Sequence, residues 1–278
     1  MATLLAVLLI IIPGSYPFTF NPENLFHSIW NRNILNHKIQ KVMNTEKSKQ
    51  LDLHSLGLSD KKHGVKMGIT NENCDNAIDN LHMDWDGSPV NYTCYTPKNP
   101  LPILQGIESI EECEEIPDNY IAKHFCMTDK IYYNKDIPTY GYHRPLWPVF
   151  GEYKFVPPQR WLHNLEHGAI VMLYHPCTHP FIVNELQSIV KDCIRKHIIS
   201  ASNNLPLERP LTLLSWGCRL SMNHVNPETV ISFIKRHALH APEGKLSKEG
   251  QYNLTLLSKA VPPLGSDIDD SVICPGYV

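Results

Sequence analysis

Eight cysteines, at positions 74, 94, 113, 126, 177, 193, 218 and 274, limit the folds open to this chain more than any other feature. They are even in number and widely spread, and no two form a Cys-x-x-Cys pair. That pattern fits disulfides in an oxidising compartment better than a zinc finger or a thioredoxin-like redox site. The first four can staple their own region and the last four brace the remainder. Cys177 and Cys193 would then close a short loop onto a helix, and Cys274 would tie back the C-terminal tail. The start of the chain agrees: MATLLAVLLIII is an apolar run ended by Pro13-Gly14-Ser15, too short to span a bilayer comfortably. Residues 1–15 are expected to be a signal peptide, with an uncleaved, membrane-tethering signal anchor as the alternative. Asn91-Tyr92-Thr93 and Asn253-Leu254-Thr255 supply glycosylation acceptors at Asn91 and Asn253. The expected location is secreted or the lumen of the secretory pathway.

A chain of 278 residues can bury a substantial core without relying on its disulfides alone. Its formal charge of -3 comes from 25 basic and 28 acidic residues, with no concentrated basic surface of the kind nucleic acid demands. No later stretch is apolar for long enough to span a membrane. Residues 16–72 read as a variable, partly disordered extension, and residues 73–129 as the cysteine-containing N-terminal part of the domain. Within the latter, Glu111-Glu112-Cys113-Glu114-Glu115 reads as a solvated acidic face. Residues 130–245 form the core domain, and 246–278 a polar C-terminal tail. A partner for the protein is conceivable through Tyr140, Tyr142, Trp147 and Trp161, rings that a non-catalytic interaction domain would use.

The proline-dense segment from Pro138 to Pro158 reads as a long fixed loop, because its prolines oppose a regular helix or central strand. Gly168 to Tyr174 is a strand signal, short and apolar, with Ile170, Met172 and Tyr174 on one face and Val171 and Leu173 on the other. An amphipathic helix is expected over Pro180 to His197, with Arg195, Lys196 and His197 at the negative end of its dipole. A second strand is expected at Leu211 to Trp216, and a second helix after Asn226-Pro227, a capping residue followed by proline at the first helical position. The expected class is α+β, a small sheet with two amphipathic helices and a long proline-rich loop, supported by disulfides. An α/β two- or three-layer sandwich is the alternative.

The chemistry concentrates in His163-Asn164-Leu165-Glu166-His167-Gly168. His163 and His167 share one face on either a helix or a strand, which begins a metal site but does not complete one. His143, in the preceding rigid loop, is the leading third donor. His175, His179 and Met172 are further candidates, although Met172 reads more naturally as core. Without a metal, His163, Glu166 and His167 would form a buried hydrogen-bonded brace. The segment also satisfies the H-x-x-E-H pattern of inverted zinc peptidases, in which Glu166 would be the catalytic base. Pro157-Pro158 before it and Gly168 after it leave little room for the helix that such enzymes need.

The run PTYGYHRPLWPVFGEYKFVPPQRWLHNLEHGAIVMLYHPC, together with LTLLSWGC, resembles the tumour protein p53-inducible protein 13 family. That family falls within a wider domain family of unknown function also found in bacteria. The resemblance covers about residues 130 to 245 and implies no settled reaction. It does imply a secretory-pathway or membrane setting, with a membrane segment after this domain in the vertebrate relatives. No stable span is expected in this sequence beyond its leader. The bacterial members are similar at Gly141, His143, His163, Leu165, Glu166, His167 and Gly168, which strengthens the case for a metal. The expectation is therefore a secreted or luminal metal-binding protein taking copper or zinc. Its donors would be His143, His163 and His167, with Glu166 as fourth ligand or as hydrogen-bond partner to one of them. Copper is slightly preferred because of the nearby Met and His content. A structural or interaction domain and an HxxEH zinc hydrolase are the alternatives; the protein is more naturally not an enzyme.

Overall fold

The computed structural model describes residues 52–104, 106–246 and 248–277. The expected leader and most of the expected extension lie outside the described residues. Residues 52–72, also assigned to the extension, carry a two-residue ladder of β1 (Ser59–Asp60) and β2 (Gly64–Val65).

The centre of the domain is a mixed sheet of seven strands. In chain order these are β3 (Ile110–Cys113), β4 (Gly151–Phe155), β5 (Ile170–Tyr174), β6 (His197–Ala201), β7 (Leu211–Ser215), β8 (Cys218–Met222) and β9 (Leu256–Lys259). Their order across the sheet is β3-β8-β7-β5-β6-β4-β9. Strand β6 runs parallel to both β4 and β5, and the outer pairings are antiparallel. A strand with parallel neighbours on both sides is covered on both faces, and all five residues of β6 are buried. Strand β5 keeps the alternation expected of it. Ile170 and Met172 join one core, with α2 (Pro180–Cys193) and α3 (Pro227–His237). Val171 and Leu173 join the other, with Trp161, Leu162 and Leu165 of α1 (Pro158–Glu166).

The small sheet with two helices is therefore incorrect: the α+β domain has a large seven-stranded sheet, three α-helices among the described residues, and four disulfides. The difference lies where tertiary pairing overrides local pattern. The expected helix to His197 stops at Cys193, because the Asp270 carboxylate takes the backbone N–H groups of Arg195 (2.6 Å) and Lys196 (2.9 Å). The β-branched run beyond then enters the sheet as β6. The expected fixed loop contains β4, whose burial alternates residue by residue. The acidic run contributes β3, an edge strand paired to β8 and joined to it by Cys113–Cys218. Pro158, read as an obstacle to a helix, is the first residue of α1, where its missing N–H costs nothing.

The disulfides are Cys74–Cys126, Cys94–Cys177, Cys113–Cys218 and Cys193–Cys274. Two of them cross between the cysteine-containing N-terminal part and the core, so local stapling holds for Cys74–Cys126 alone and the Cys177–Cys193 loop is incorrect; the tie of Cys274 to the core holds. Loops of 52 to 105 residues are closed, each worth on the order of 4 kcal/mol in the chain-entropy picture. Charge supports the same docking. Arg160 of α1 pairs with Asp75 at 2.6 Å, both side chains being fully buried, and also donates to the Leu146 carbonyl at 2.8 Å. Arg144 pairs with Asp84 at 2.6 Å. Removing one member of such a pair strands the other charge away from water. Asp75→Asn should therefore destabilise the folded protein by about 3–5 kcal/mol, read as an earlier urea midpoint; a midpoint equal to wild type would show that Arg160 is not held by charge.

Candidate metal centre

Three extended segments lie side by side next to α1, joined by a few backbone hydrogen bonds. His124 N–H donates to the His63 carbonyl (2.9 Å), and His124 and His143 form an isolated parallel bridge. This aligns one histidine from each segment. Helix α1 contributes His163 and, one turn later, Glu166 and His167. It ends at Gly168, whose φ of +79° suits a helix-terminating glycine. A Cβ at Gly168 would lie 2.7 Å from Cα of Leu239, so the turn that carries the chain towards Glu243 requires glycine there. Glu243 N–H donates in turn to the Glu166 carbonyl (3.0 Å).

One ligand atom each from His124, His143, His163 and Glu166 falls within 4.8 Å of all the others, and all four residues are buried. Three of the four donors, the imidazoles, are fixed from behind. Nδ1 of His124 donates to the Val65 carbonyl (2.8 Å), Nδ1 of His143 to Gly141 (2.8 Å) and Nδ1 of His163 to Arg144 (2.6 Å). A nitrogen facing a carbonyl must carry the proton, so each neutral ring presents a bare Nε2 lone pair to the cluster. This is the arrangement metal-ligating histidines adopt. Nε2 of all three rings and Oε2 of Glu166 have no hydrogen-bond partner. Nε2 of His143 nevertheless lies 3.1 Å from Glu166 Oε2, and Nε2 of His124 4.0 Å from it. Lone pairs converging on a carboxylate in a buried space repel unless a cation lies between them, and each unsatisfied buried atom costs about 1–3 kcal/mol.

The protonation states suit a cation. Burial, reinforced by the neighbouring His143, pushes His124 down to about 3. Burial and then His143, His167 and His124 push His163 well below its usual value. Burial alone would raise Glu166, but the contact with His143 outweighs it and the carboxyl is held below its usual range. At neutral pH the His124 and His163 rings are neutral and Glu166 is ionised, the forms that bind metal. Trp147 walls the cluster, its ring 4.7 Å from that of His163 and 4.5 Å from that of His167.

His143, His163 and Glu166 thus come together as the sequence suggests, and His124 joins them. Nothing in the local sequence singles out His124; only its backbone bridge to His143 does. His167 turns its Nε2 away to Glu243 Oε2 at 3.3 Å. The further candidates are not in the cluster. Met172 packs in the core beneath α2 and α3, His175 accepts from Cys177 N–H in a turn, and the exposed His179 caps α2 by accepting from Phe181 N–H. Trp147 and Trp161 are buried rather than offered to a partner. A second grouping, Cys113, Cys218 and His237, offers no thiolate because the two cysteines are joined.

Residues 124–250 match a family model described as a protein of unknown function (DUF3105), a range that includes all four converging donors. Among curated proteins the chain is similar to tumor protein p53-inducible protein 13 of Rattus norvegicus, 33% identical over 68 residues, or 24% of this chain and 18% of the relative. It is also similar to tumor protein p53-inducible protein 13 of Mus musculus, 30% identical over 94 residues, or 33% of this chain and 24% of the relative. The matched segments thus span less than a quarter of the length of either relative. No solved structure matches the chain. The ring geometry predicts that long-range ¹⁵N NMR of metal-free protein will find His124 and His163 protonated at Nδ1 and bare at Nε2; protonation at Nε2 would mean that the lone pairs do not converge.

Proposed function

We propose that this protein is a secretory-pathway metal-binding domain in which His124, His143, His163 and Glu166 hold one divalent transition ion in a closed, non-catalytic site. The single observation that carries the reading is the convergence of three Nε2 atoms and one carboxylate oxygen, buried and without hydrogen-bond partners, while each Nδ1 is held by a carbonyl. Three imidazole nitrogens and one oxygen suit zinc(II) or copper(II). With Met172 outside the cluster, the thioether argument for copper falls away, and the donor set prefers a four-coordinate borderline ion such as zinc(II). Bound there, the ion would join α1 to the two loop segments that carry His124 and His143 and so brace the domain. A hydrolase would use Glu166 as a free base beside the metal and keep one position open. Here Glu166 is itself one of the four donors and is buried, which supports a structural role over a catalytic one.

The four disulfides support an oxidising compartment, in line with the apolar leader. Among the described residues no helix is long and apolar enough to cross a membrane. The two glycosylation acceptors differ in their surroundings. Asn253 is exposed, whereas the half-buried Asn91 accepts from Trp85 Nε1 (2.9 Å) and donates to Asn203 (3.1 Å).

Protein purified from a secretory host should carry tightly held zinc or copper, measured by elemental analysis. His143→Ala, His163→Ala and Glu166→Gln should each lose it, while His175→Ala and His179→Ala retain it. Holding the ion at about 100 times its dissociation constant adds roughly 2.7 kcal/mol to stability, so chelation should lower the melting temperature; no metal and no change on chelation would sink the proposal. Of the acceptors, Asn253→Gln should abolish the glycan-dependent gel shift and Asn91→Gln should leave it intact, and the reverse pattern would overturn that assignment.

A further inference from the structure

The eight cysteines differ in their access to solvent. Seven are buried or half-buried, and Cys113 alone is exposed. It lies on β3, an edge strand whose four residues are all exposed, directly opposite Cys218 of β8, to which it is joined. Alternation along β3 puts Glu111 and Cys113 on one face. The last turn of α3 reaches that face: Arg236 Nη2 is 2.5 Å from Glu111 Oε2, and His237 Nε2 is 2.9 Å from Glu111 Oε1. The same imidazole has a ring nitrogen within 4.8 Å of both sulfurs. Its ring packs 4.7 Å from that of Phe233, one turn earlier, while 20% of the His237 side chain stays exposed.

We infer that Cys113–Cys218, with His237 beside it, is a thiol–disulfide exchange site whose reaction partner is a small thiol such as glutathione. Exchange needs a thiolate to reach one sulfur of the bond, and accessible disulfides are the labile ones. Cys113 offers its sulfur at the surface, whereas Cys218 is 9% exposed and packs in the core with Val230 and Phe233 of α3. Attack at Cys113 Sγ forms a mixed disulfide there, breaks the Sγ–Sγ bond and leaves the electron pair on Cys218 as a thiolate. Burial costs that anion its hydration. From its imidazolium form His237 hands the sulfur a proton and is left as the neutral ring. A second thiolate then attacks the outer sulfur of the mixed disulfide and frees Cys113. Two small thiols are thereby oxidised to their disulfide as one protein disulfide is reduced. The other three bonds lack this combination. Cys74–Cys126 and Cys193–Cys274 are buried at both ends and Cys94–Cys177 at one, and no histidine groups with both sulfurs of any of them among the described residues. Opening Cys113–Cys218 leaves β3 held by its backbone pairing to β8, which starts at Ile110 and Ser221.

This site shares no residue with the metal centre, so either can fail alone. Native full chain incubated with reduced glutathione, quenched with an alkylating agent and mapped by peptide mass spectrometry, should open Cys113–Cys218 first. The glutathione adduct should sit on Cys113, with the other three bonds intact. His237→Ala should slow that opening several-fold with an unaltered circular dichroism spectrum. Imidazole added to the solution should restore part of the lost rate, an effect that a purely structural His237 would not produce. If the alanine variant fails to fold, His237→Gln, which keeps a hydrogen-bond donor for Glu111, gives the same reading. Opening of Cys113–Cys218 no earlier than the other bonds, or an adduct on Cys218, overturns the exchange site. A variant rate equal to wild type, or a slowed rate that imidazole does not move, overturns the assignment of His237.

Discussion

Three hydrogen bonds from Nδ1 to backbone carbonyls, at His124, His143 and His163, set the character of this domain, because they decide what its buried polar interior presents. Each imidazole has two nitrogens, and anchoring one as a donor leaves the other as a lone pair. Had the rings been anchored through Nε2, or left at the surface, the same histidines would be an ordinary polar patch. Anchored as they are, they point lone pairs at one another and at an ionised Glu166 in a buried space. The surrounding architecture has to hold that arrangement against its own repulsion.

It does so with charge and covalent bonds where regular secondary structure is sparse. The described residues of 66–109 contain no strand of the large sheet, only short 3-10 turns and isolated bridges, so few backbone bonds hold them to the core. Buried Arg144 and Arg160, paired with Asp84 and Asp75, dock this region against α1 and the proline-rich segment. Cys74–Cys126 and Cys94–Cys177 secure it covalently. The result is irregular chain packed against a helix, with His124 and His143 of the loop segments meeting His163 of α1. Lys196, buried on entry to β6, donates to the Gly244 carbonyl (2.9 Å) and holds the turn that carries Glu243.

One set of donors occupies this interior. The four donors around Glu166 are enclosed, which suits a tightly kept ion that stabilises the fold. Trp147 lies against both His163 and His167 and closes the cluster on that side.

By itself the sequence determined the local elements whose pattern is self-contained. The alternation of Ile170 to Tyr174, the amphipathic stripe through Ile182, Leu186 and Ile189, and the Asn226-Pro227 cap all appear where the residues indicate. It also marked His143, His163 and Glu166, because a loop histidine and an i, i+3 pair beside a strand are visible in one dimension. What only the tertiary structure decided depends on partners distant in the chain. Strands β3, β4, β6 and β9 have ambiguous local patterns and become strands by pairing with neighbours. The disulfides pair across regions because the N-terminal part packs onto the core, a fact that cysteine spacing does not encode. His124 and His63 enter the interior through backbone contacts between segments that are not adjacent in the chain, and His167 turns to Glu243 because a loop beyond α3 hydrogen-bonds to the end of α1. Local sequence sets which residues have donors to offer; long-range packing sets which of those donors meet.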